Sequence, residues 1–351
     1  IMIDPNTLKK SKDFGTSGIN FCMARRSETS ELFVGNSDFK VYAVDATAEK
    51  PQFSPLAESA HDSYVTGAAL AQNILITGSY DKQLIWWNTE DRSIVRKVSA
   101  HELWIRNLAV SPDGSFAVSV ADDMHAHVWS VTDGQKIRTL DDHKPMTPHN
   151  YPSMLYAVTI STDGNLIATG DKVGHVAIWE SATGNKIGEV EAPVMYTWDP
   201  KQRRHSIGGI RSLAFSHDSK LLAVGGIGTI GNIDHLGGPH RIEVFDWQTK
   251  ERKHEISNDK FNGLVEQLEF SPDGNWLFAT GGDNGGFVAF YDMTSGKVIK
   301  AEAAPMHVHA AGFSEDFRTL YTVGHGKIAL WELAELAPEP APLQAPKPAV
   351  G

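Results

Sequence analysis

Two pairs of alternating histidines are the residues whose types and spacing could most directly do chemistry. His125-Ala-His127 and His307-Val-His309 each place two imidazoles on one face of an extended strand, because side chains alternate along a strand. Imidazole nitrogen is a common ligand of zinc and other borderline metals. No recurrent metal-site spacing surrounds either pair, so the sequence predicts no metal, no cofactor and no catalytic residue.

One glycine-rich run matches a phosphate-binding fingerprint. Gly226-Ile-Gly-Thr-Ile-Gly231 has the spacing of the dinucleotide-binding motif and follows an apolar, strand-like run. That motif binds a pyrophosphate only where a helix begins directly after it. Residues 232–240 read Asn-Ile-Asp-His-Leu-Gly-Gly-Pro-His, which is not a helix-forming segment. The sequence therefore argues against dinucleotide binding.

The composition excludes several other kinds of function. The 351 residues carry a formal net charge of −11, whereas binding nucleic-acid phosphates requires a basic face. Cys22 is the only cysteine, so neither an internal disulfide nor a Cys-based metal motif can form. No stretch approaches the roughly 18 consecutive apolar residues of a membrane helix, and residues 1–10 lack a signal-peptide layout. We expect a cytoplasmic protein that binds neither membranes nor nucleic acids.

An internal repeat organises most of the chain. Four segments read almost alike, and a fifth at 311–317 is a weaker copy. The four are Leu108-Ala-Val-Ser-Pro-Asp-Gly, Val158-Thr-Ile-Ser-Thr-Asp-Gly, Leu213-Ala-Phe-Ser-His-Asp-Ser and Leu268-Glu-Phe-Ser-Pro-Asp-Gly. Each is a short strand followed by a turn, in which Asp-Gly supplies the backbone conformations that a tight turn needs.

After each turn, the pattern predicts three further strands. An apolar run ends on a small residue, a third strand ends on an aromatic or apolar residue, and a more polar fourth strand follows. The third-strand positions are Val44, Trp87, Trp129, Trp179, Phe245, Tyr291 and Trp331. Four short strands in each of seven units predict an all-β fold, a seven-bladed β-propeller with four antiparallel strands per blade.

With these residues in view, the chain resembles the WD-repeat (WD40) family of propellers. In that family a His, Ser/Thr, Asp and Trp network often ties the outer strand of a blade to the inner strands. Two units match it, through His61, Thr77, Asp81, Trp87 and through His101, Ser119, Asp123, Trp129. The fourth unit keeps Thr169 and Trp179 but has Val173 where the aspartate is expected. The resemblance implies that these residues are structural.

The predicted boundaries follow from the repeat. The propeller covers residues 1–335, with blades at about 18–56, 57–100, 101–140, 141–190, 191–257, 258–302 and 303–332. The last unit supplies only three strands, so we expect the segment 7–13 to add the fourth and close the ring. Residues 336–351 are rich in alanine and proline and form a tail.

Function is expected where the repeat is interrupted. The third-strand positions are 40 to 46 residues apart, except for intervals of 50 and 66 that enlarge the fourth and fifth units. The extra residues lie at 141–154, 192–209 and 225–240, which we call the insertion cluster because the resemblance places all three on one face. Their candidate binding residues are Tyr151, Tyr196, Trp198, Arg203, Arg204, His205, Asp234 and His235.

A second candidate site is the channel that the innermost strands surround. The second residue of each innermost strand is Thr66, Arg106, Tyr156, Arg211, Glu266 and His309 in units two to seven. Arg106, Tyr156, Arg211, Glu266 and His309 are the candidate binding residues of this ring, and they suit an acidic or mixed-charge segment. The alternative is a water-filled channel lined with polar groups.

The sequence therefore predicts a non-catalytic scaffold that binds a protein or peptide, as a monomer or as part of a larger complex. The alternative is a small-ligand or metal site, with or without enzymatic activity, in the insertion cluster.

Overall fold

The chain folds into antiparallel β-sheets. The computed structural model describes residues 2–201 and 203–336, without the side chains of 258 and 259. Within those residues the only helical segment is a 3-10 turn, Pro193–Met195. The predicted all-β propeller with four-stranded antiparallel blades is confirmed. The predicted tail lies outside the described residues, apart from Leu336.

The strands follow one another in groups that match the repeat. The first group is β1 (Ile3–Arg25), β2 (Glu31–Asn36), β3 (Val41–Asp45) and β4 (Ser54–Pro55). The second is β5 (Val65–Ala71), β6 (Ile74–Ser79), β7 (Gln83–Asn88) and β8 (Ser93–Ser99). The third is β9 (Ile105–Val110), β10 (Phe116–Ala121), β11 (Ala126–Ser130) and β12 (Lys136–Leu140). The fourth is β13 (Leu155–Ile160), β14 (Leu166–Asp171), β15 (His175–Glu180) and β16 (Lys186–Glu191).

The enlarged region adds one hairpin before the remaining groups. That hairpin is β17 (Tyr196–Asp199) and β18 (His205–Gly208). The fifth group is β19 (Ser212–Phe215), β20 (Leu221–Ile227), β21 (Pro239–Asp246) and β22 (Glu251–Asn262). The sixth is β23 (Leu264–Phe270), β24 (Trp276–Gly282), β25 (Gly286–Asp292) and β26 (Val298–Ala304). The last strands are β27 (Val308–Phe313) and β28 (Thr319–Glu335).

The two ends of the chain form one continuous sheet. Residues 3–19 of β1 pair with β28, and residues 20–25 pair with β2, so that the strand order is β27-β28-β1-β2-β3-β4. Within the segment 7–13, Lys9 lies opposite Glu332 and Asp13 opposite Ala329. Five further sheets have four strands each. The structure thus has six large sheets rather than the seven expected, because β1 and β28 run undivided through the sheet at the chain ends.

The turns inside the sheets have the chemistry that the repeat predicts. In the Ser111-Pro-Asp-Gly turn, Ser111 Oγ donates to Asp113 Oδ1 at 2.6 Å. Gly114 has a φ of +72°, which a residue without Cβ adopts freely. The neighbouring sheets then pack face against face, as where Phe33 of β2 meets Leu75 and Trp87 of the next sheet. Buried side chains between neighbouring sheets hold the strands in place, and the loops of the candidate site begin at the ends of those strands.

The His–Ser/Thr–Asp–Trp network is formed by side-chain hydrogen bonds. His61 Nδ1 lies 2.9 Å from Asp81 Oδ2, its Nε2 lies 2.9 Å from Thr77 Oγ1, and Trp87 Nε1 donates to the same hydroxyl at 2.9 Å. His101, Ser119, Asp123 and Trp129 make the same contacts. Both ring nitrogens of each histidine are therefore engaged in holding the sheet together, which is a structural role.

The fourth unit completes this network with a residue that the sequence pattern did not identify. His143 Nδ1 lies 2.9 Å from Asp171 Oδ2 and its Nε2 lies 2.8 Å from Thr169 Oγ1, to which Trp179 donates at 3.0 Å. Asp171 precedes the expected position by two residues, so its side chain leaves the strand on the same face as Val173 would. His143 is accordingly a buried structural residue of the first insertion.

Candidate functional site

Aromatic rings from two insertions stack on one another. The His149 ring lies 4.5 Å from the Trp198 ring at an angle of 7°, and its Nδ1 lies 3.0 Å from the Tyr196 hydroxyl. Tyr151 packs against the same Trp198 at 5.2 Å and against His205 at 5.6 Å. The hairpin β17–β18 presents Tyr196, Trp198 and His205, and the first insertion presents His149 and Tyr151. The two segments therefore form one aromatic surface.

The third insertion is attached to that hairpin. Ile230 N donates to Thr197 Oγ1 at 3.1 Å, and Arg203 Nε lies 2.7 Å from Asp234 Oδ1. The buried side chain of Ile230 packs with Ile227 of β20 and Leu264 of β23, so a small apolar cluster anchors the loop on the ends of two strands. All three insertions thus meet in one sector, where Tyr151, Trp198 and Asp234 lie on connected segments.

Two of the sequence candidates in these loops are less constrained. Arg204 and His235 are exposed, and neither side chain makes a hydrogen bond or ion pair with another described residue. After Gly231, the chain forms turns and no helix before β21, so the pyrophosphate geometry of the dinucleotide motif is missing in this loop. Among the described residues of the insertion cluster, no three His, Cys, Asp or Glu ligand atoms lie within 4.8 Å of one another.

Residues of the innermost strands line a central cavity of about 680 Å³. Every residue of the predicted ring lies on its wall, and Phe21 of β1 occupies the same level. The ring residues are Thr66, Arg106, Tyr156, Arg211, Glu266 and His309, which we call the channel mouth.

One half of the channel mouth is cationic. The Arg106 guanidinium makes a bidentate ion pair with Asp122, with both N···O distances at 2.7 Å. The Arg211 guanidinium carbon lies only 3.6 Å from the centre of the Tyr156 ring, a cation–π contact. No carboxylate of the described chain forms an ion pair with Arg211. One of the two guanidinium charges is therefore left without an acidic partner.

Lys172 adds a third cation that the sequence analysis missed. The residue is 4% exposed, and its side chain forms no hydrogen bond or ion pair with the rest of the described chain. Burial, followed by the nearby charge of Arg211, lowers the pKa of the Lys172 ammonium. Its only sequence signal is its place in the turn after β14, directly after Asp171. Burial of this turn depends on loops that pack over it from elsewhere.

Lys172 also links the channel mouth to the insertion cluster. Its backbone N donates to Met154 O, at the end of the first insertion, at 2.9 Å. A Cβ on Gly209, at the end of the second insertion, would lie 2.7 Å from the Lys172 Cα. Met154 Sδ in turn accepts from the Tyr156 hydroxyl at 2.7 Å. The insertions and the mouth thus form one continuous surface.

An arc of aromatic side chains, also missed by the sequence analysis, borders the cationic half. Tyr80 and Trp104 stack with ring centres 4.6 Å apart, and Tyr64 packs against Tyr80 at 5.8 Å. Phe39 extends the arc next to Tyr64. Trp104 is 48% exposed although it is large and apolar, and the Arg106 guanidinium lies 5.3 Å from its ring centre. These four residues, Phe39, Tyr64, Tyr80 and Trp104, are the aromatic arc.

The opposite half of the channel contains carboxylates and imidazoles. Burial would raise the pKa of Glu266, but the neighbouring His307 and His309 hold it well below its ordinary value. Deeper in the channel, burial alone raises the pKa of Glu269 to about 7. Glu269 makes no hydrogen bond or ion pair with another described side chain. The channel is thus electrostatically divided between a cationic and an acidic half.

Comparison with known proteins agrees with this architecture. The family model described as "WD domain, G-beta repeat" matches residues 92–130 and 253–287. The chain is 26% identical over 206 residues to eukaryotic translation initiation factor 3 subunit I of Candida albicans, which covers 58% of this chain and 52% of that protein. It is 26% identical over 223 residues to WD repeat-containing protein VIP3 of Arabidopsis thaliana, covering 61% of this chain and 63% of the relative.

A further relative is the protein LST8 homolog of Drosophila melanogaster, 25% identical over 171 residues, or 48% of this chain and 53% of the relative. The chain thus spans between half and two thirds of the length of these relatives. Among the described residues, no helix has the length and apolar character needed to cross a membrane.

Proposed function

Because this chain belongs to the WD-repeat family of β-propellers, we propose that it is a non-catalytic scaffold that binds an acidic segment of a partner protein. The binding surface is the cationic half of the channel mouth, extended by the aromatic arc on one side and the insertion cluster on the other.

The observation that carries this proposal is the pair of cations without acidic partners, Lys172 and Arg211. Lys172 is largely buried and has no acidic partner among the described residues, and such a cation is costly because burying a charge ordinarily leads to pairing or neutralisation. A carboxylate bound between the two side chains would supply the missing counter-charge through charge-assisted hydrogen bonds. The protein's own acid at this place, Asp122, is already paired with Arg106.

The surroundings of these cations suit a polypeptide. Exposed Trp104 and Tyr64 are of the residue types that anchor protein interfaces, and aromatic rings with arginine are enriched there. The stacked rings of His149 and Trp198 give the other side a surface that is already ordered. The acidic net charge of the whole chain, −11, makes the cationic patch a local exception that would orient an acidic partner.

The names of the relatives favour a place in an assembly. One relative is a subunit of translation initiation factor 3, as its name states. We extend to this chain only the general role of a subunit that contacts other proteins in the cytoplasm, and no particular complex.

We also infer that the six-stranded sheet acts as two four-stranded blades, which makes seven units around the channel. Trp331 Nε1 donates to Thr322 Oγ1 at 3.1 Å, and Thr322 Oγ1 donates to Ala329 O at 3.2 Å. An extended chain from 322 to 331 would span about 30 Å, so these contacts support a reversal inside β28. Gly326, with a φ of +64°, lies between them and suits a tight turn.

Fluorescence anisotropy with defined peptides tests the proposed function. The probes are short labelled peptides with Glu or Asp around one aromatic residue, together with versions in which Gln or Lys replaces the acids. We expect the acidic peptides to bind more tightly than the Gln versions, and the Lys versions not to bind.

The double variant Lys172→Met/Arg211→Gln should weaken binding of the acidic peptides by at least about tenfold, since each charge-assisted hydrogen bond contributes about that much to the affinity. The control is Lys220→Met/Arg318→Gln, which removes the same two positive charges from exposed turns. Lys220 directly precedes β20 and Arg318 directly precedes β28. Equal binding of the acidic and Gln peptides, or equal weakening by the control variant, would contradict the proposal.

A further inference from the structure

Three histidines meet beside a buried carboxylate on the side of the channel away from Lys172. His307 directly precedes β27, His309 lies on β27 and His325 on β28. The His307 and His309 ring centres are 4.4 Å apart, and the His325 ring lies 5.0 and 4.9 Å from them. One nitrogen atom from each of the three rings lies within 4.8 Å of the others. Glu266 of β23 faces the same space.

The tautomer of His307 leaves a lone pair directed at this space. His307 Nδ1 lies 2.8 Å from the backbone O of Asp283, which can only accept, so Nδ1 carries the proton. In the neutral ring Nε2 then has a free lone pair, and this atom is buried without a hydrogen-bond partner among the described residues. Donation from the distal ring nitrogen to a backbone carbonyl is also how metal-ligating histidines are held in orientation.

A second acceptor faces that lone pair. Glu266 Oε1 lies 3.4 Å from His307 Nε2 and 3.7 Å from His309 Nδ1. His309 Nε2 is likewise buried without a hydrogen-bond partner in the described part of the chain. The Glu266 carboxylate and these ring nitrogens attract one another only through a shared cation, which is either a proton on the imidazole or a metal ion.

The separation of these atoms suits a metal ion. Metal–nitrogen and metal–oxygen distances of about 2.0–2.2 Å in a tetrahedral zinc site place two ligand atoms about 3.3–3.5 Å apart. The 3.4 Å between Glu266 Oε1 and His307 Nε2 falls in that range, and the 3.7 Å to His309 needs only a small ring rotation. Three imidazoles with a carboxylate nearby are a borderline donor set, which zinc and its neighbours prefer to calcium or magnesium.

We propose that His307, His309 and His325 bind one divalent transition-metal ion of the zinc class, with the Glu266 carboxylate beside the site. Three imidazole ligands leave one position for water or for the Glu266 carboxylate, and the ion ties the chain around β27 to β28 on the channel wall. It also adds positive charge to the acidic half of the channel. This site does not depend on the proposed binding of an acidic segment, since it uses none of the same cations.

Metal titration of the tag-free chain tests the proposal. After EDTA treatment and dialysis, calorimetry with Zn²⁺ should give one site per chain, and Co²⁺ should give the visible absorption of tetrahedral coordination. Zinc in excess of its Kd should raise the Tm, because it binds only the folded chain.

His325→Ala is the main variant, because His325 is exposed and its loss should not prevent folding. It should weaken zinc binding by at least about tenfold and remove the rise in Tm. Glu266→Gln should weaken binding as well, whereas the exposed His217→Ala serves as a matched control and should bind zinc like the unmodified chain. The absence of a stoichiometric site, or a zinc affinity unchanged in both His325→Ala and Glu266→Gln, would overturn the proposal.

Discussion

His143 and Asp171 are hydrogen-bonded at 2.9 Å in the same way as His61 and Asp81, although the two aspartates occupy different positions along their strands. Asp171 follows Thr169 by two residues, whereas Asp81 follows Thr77 by four. The Asp171 carboxylate also accepts from the backbone N of Val173 and of His175, both at 3.0 Å. Asp171, two residues earlier in its strand than the equivalent of Asp81, therefore reaches the histidine of its own sheet. It also holds the turn that follows β14.

Replacing Asp171 with alanine should destabilise the protein strongly. The substitution leaves the buried His143 imidazole without its partner, and the loss of one member of a buried pair costs about 3 kcal/mol or more in the free energy of unfolding. Urea denaturation followed by tryptophan fluorescence measures the loss. Asp141→Ala is the matched control, because Asp141 is exposed two residues before His143 and should change stability by less than about 0.5 kcal/mol.

The double variant Asp171→Ser/Val173→Asp returns the carboxylate to the position that Asp81 occupies after Ser79. It should recover part of the stability lost in Asp171→Ala. If the double variant were no more stable than Asp171→Ala, the equivalence of the two positions would be wrong.

Leu8 tests the pairing of the chain ends. The side chain is 5% exposed and packs in the same apolar cluster as Trp331 and Leu333 of β28. Leu8→Ala should lower the free energy of unfolding by about 2–4 kcal/mol, since it removes buried methyl groups and leaves a cavity. The midpoint of urea denaturation measures this, with the exposed neighbour Lys9→Ala as control. Equal midpoints for the two variants would mean that this segment does not pack against the last strand.

Ile230 tests whether the third insertion is ordered by its contact with strands β20 and β23. Its side chain is 4% exposed and packs with Ile227 at the end of β20 and Leu264 at the start of β23. Ile230→Ala should loosen the loop while changing the global Tm little, because a loop can open without the rest of the fold. Limited proteolysis with mass spectrometry should then find faster cleavage within 228–238. Exposed Ile187→Ala is the control, and unchanged cleavage in Ile230→Ala would argue against an ordered loop.

The repeat made the strands predictable, because local chemistry alone specifies them. The Ser-Pro-Asp-Gly turn at 111–114 and the alternation that precedes it depend on neighbouring residues only. The predicted count of seven units differs from the six large sheets observed because that count depends on contacts between distant segments. Whether β1 continues from one partner strand to the next is decided where the two chain ends meet, and no local pattern encodes that.

The site was predictable in part for the same reason. Arg106, Tyr156 and Arg211 could be placed on the channel wall because the strand register fixes which side chains face it. Lys172 lies in a turn and His325 lies within the long strand β28, and the neighbours that give each its role are distant in the sequence. The burial of Lys172 depends on Met154 and Gly209, and the setting of His325 depends on β27. Their roles emerge only from the packing of distant segments.

Glu269 gives the clearest dependence of stability on pH. Burial in the channel raises its pKa to about 7 in the folded chain, above the ordinary value of 4.5 for an unfolded glutamate. The folded state therefore holds this proton more tightly than the unfolded state does. Its contribution to stability is full below about pH 4.5 and is lost as the pH rises through 7.

Glu269→Gln should remove that loss, because the amide carries no charge at any of these pH values. We expect the variant to exceed the unmodified chain by about 1–3 kcal/mol in the free energy of unfolding at pH 8 and to match it near pH 4.5. Urea denaturation at the two pH values measures both differences. Glu332→Gln, at an exposed position of β28, is the control and should show no such divergence. A Glu269→Gln variant that is equally stable or less stable than the unmodified chain at pH 8 would mean that water in the channel solvates the carboxylate fully.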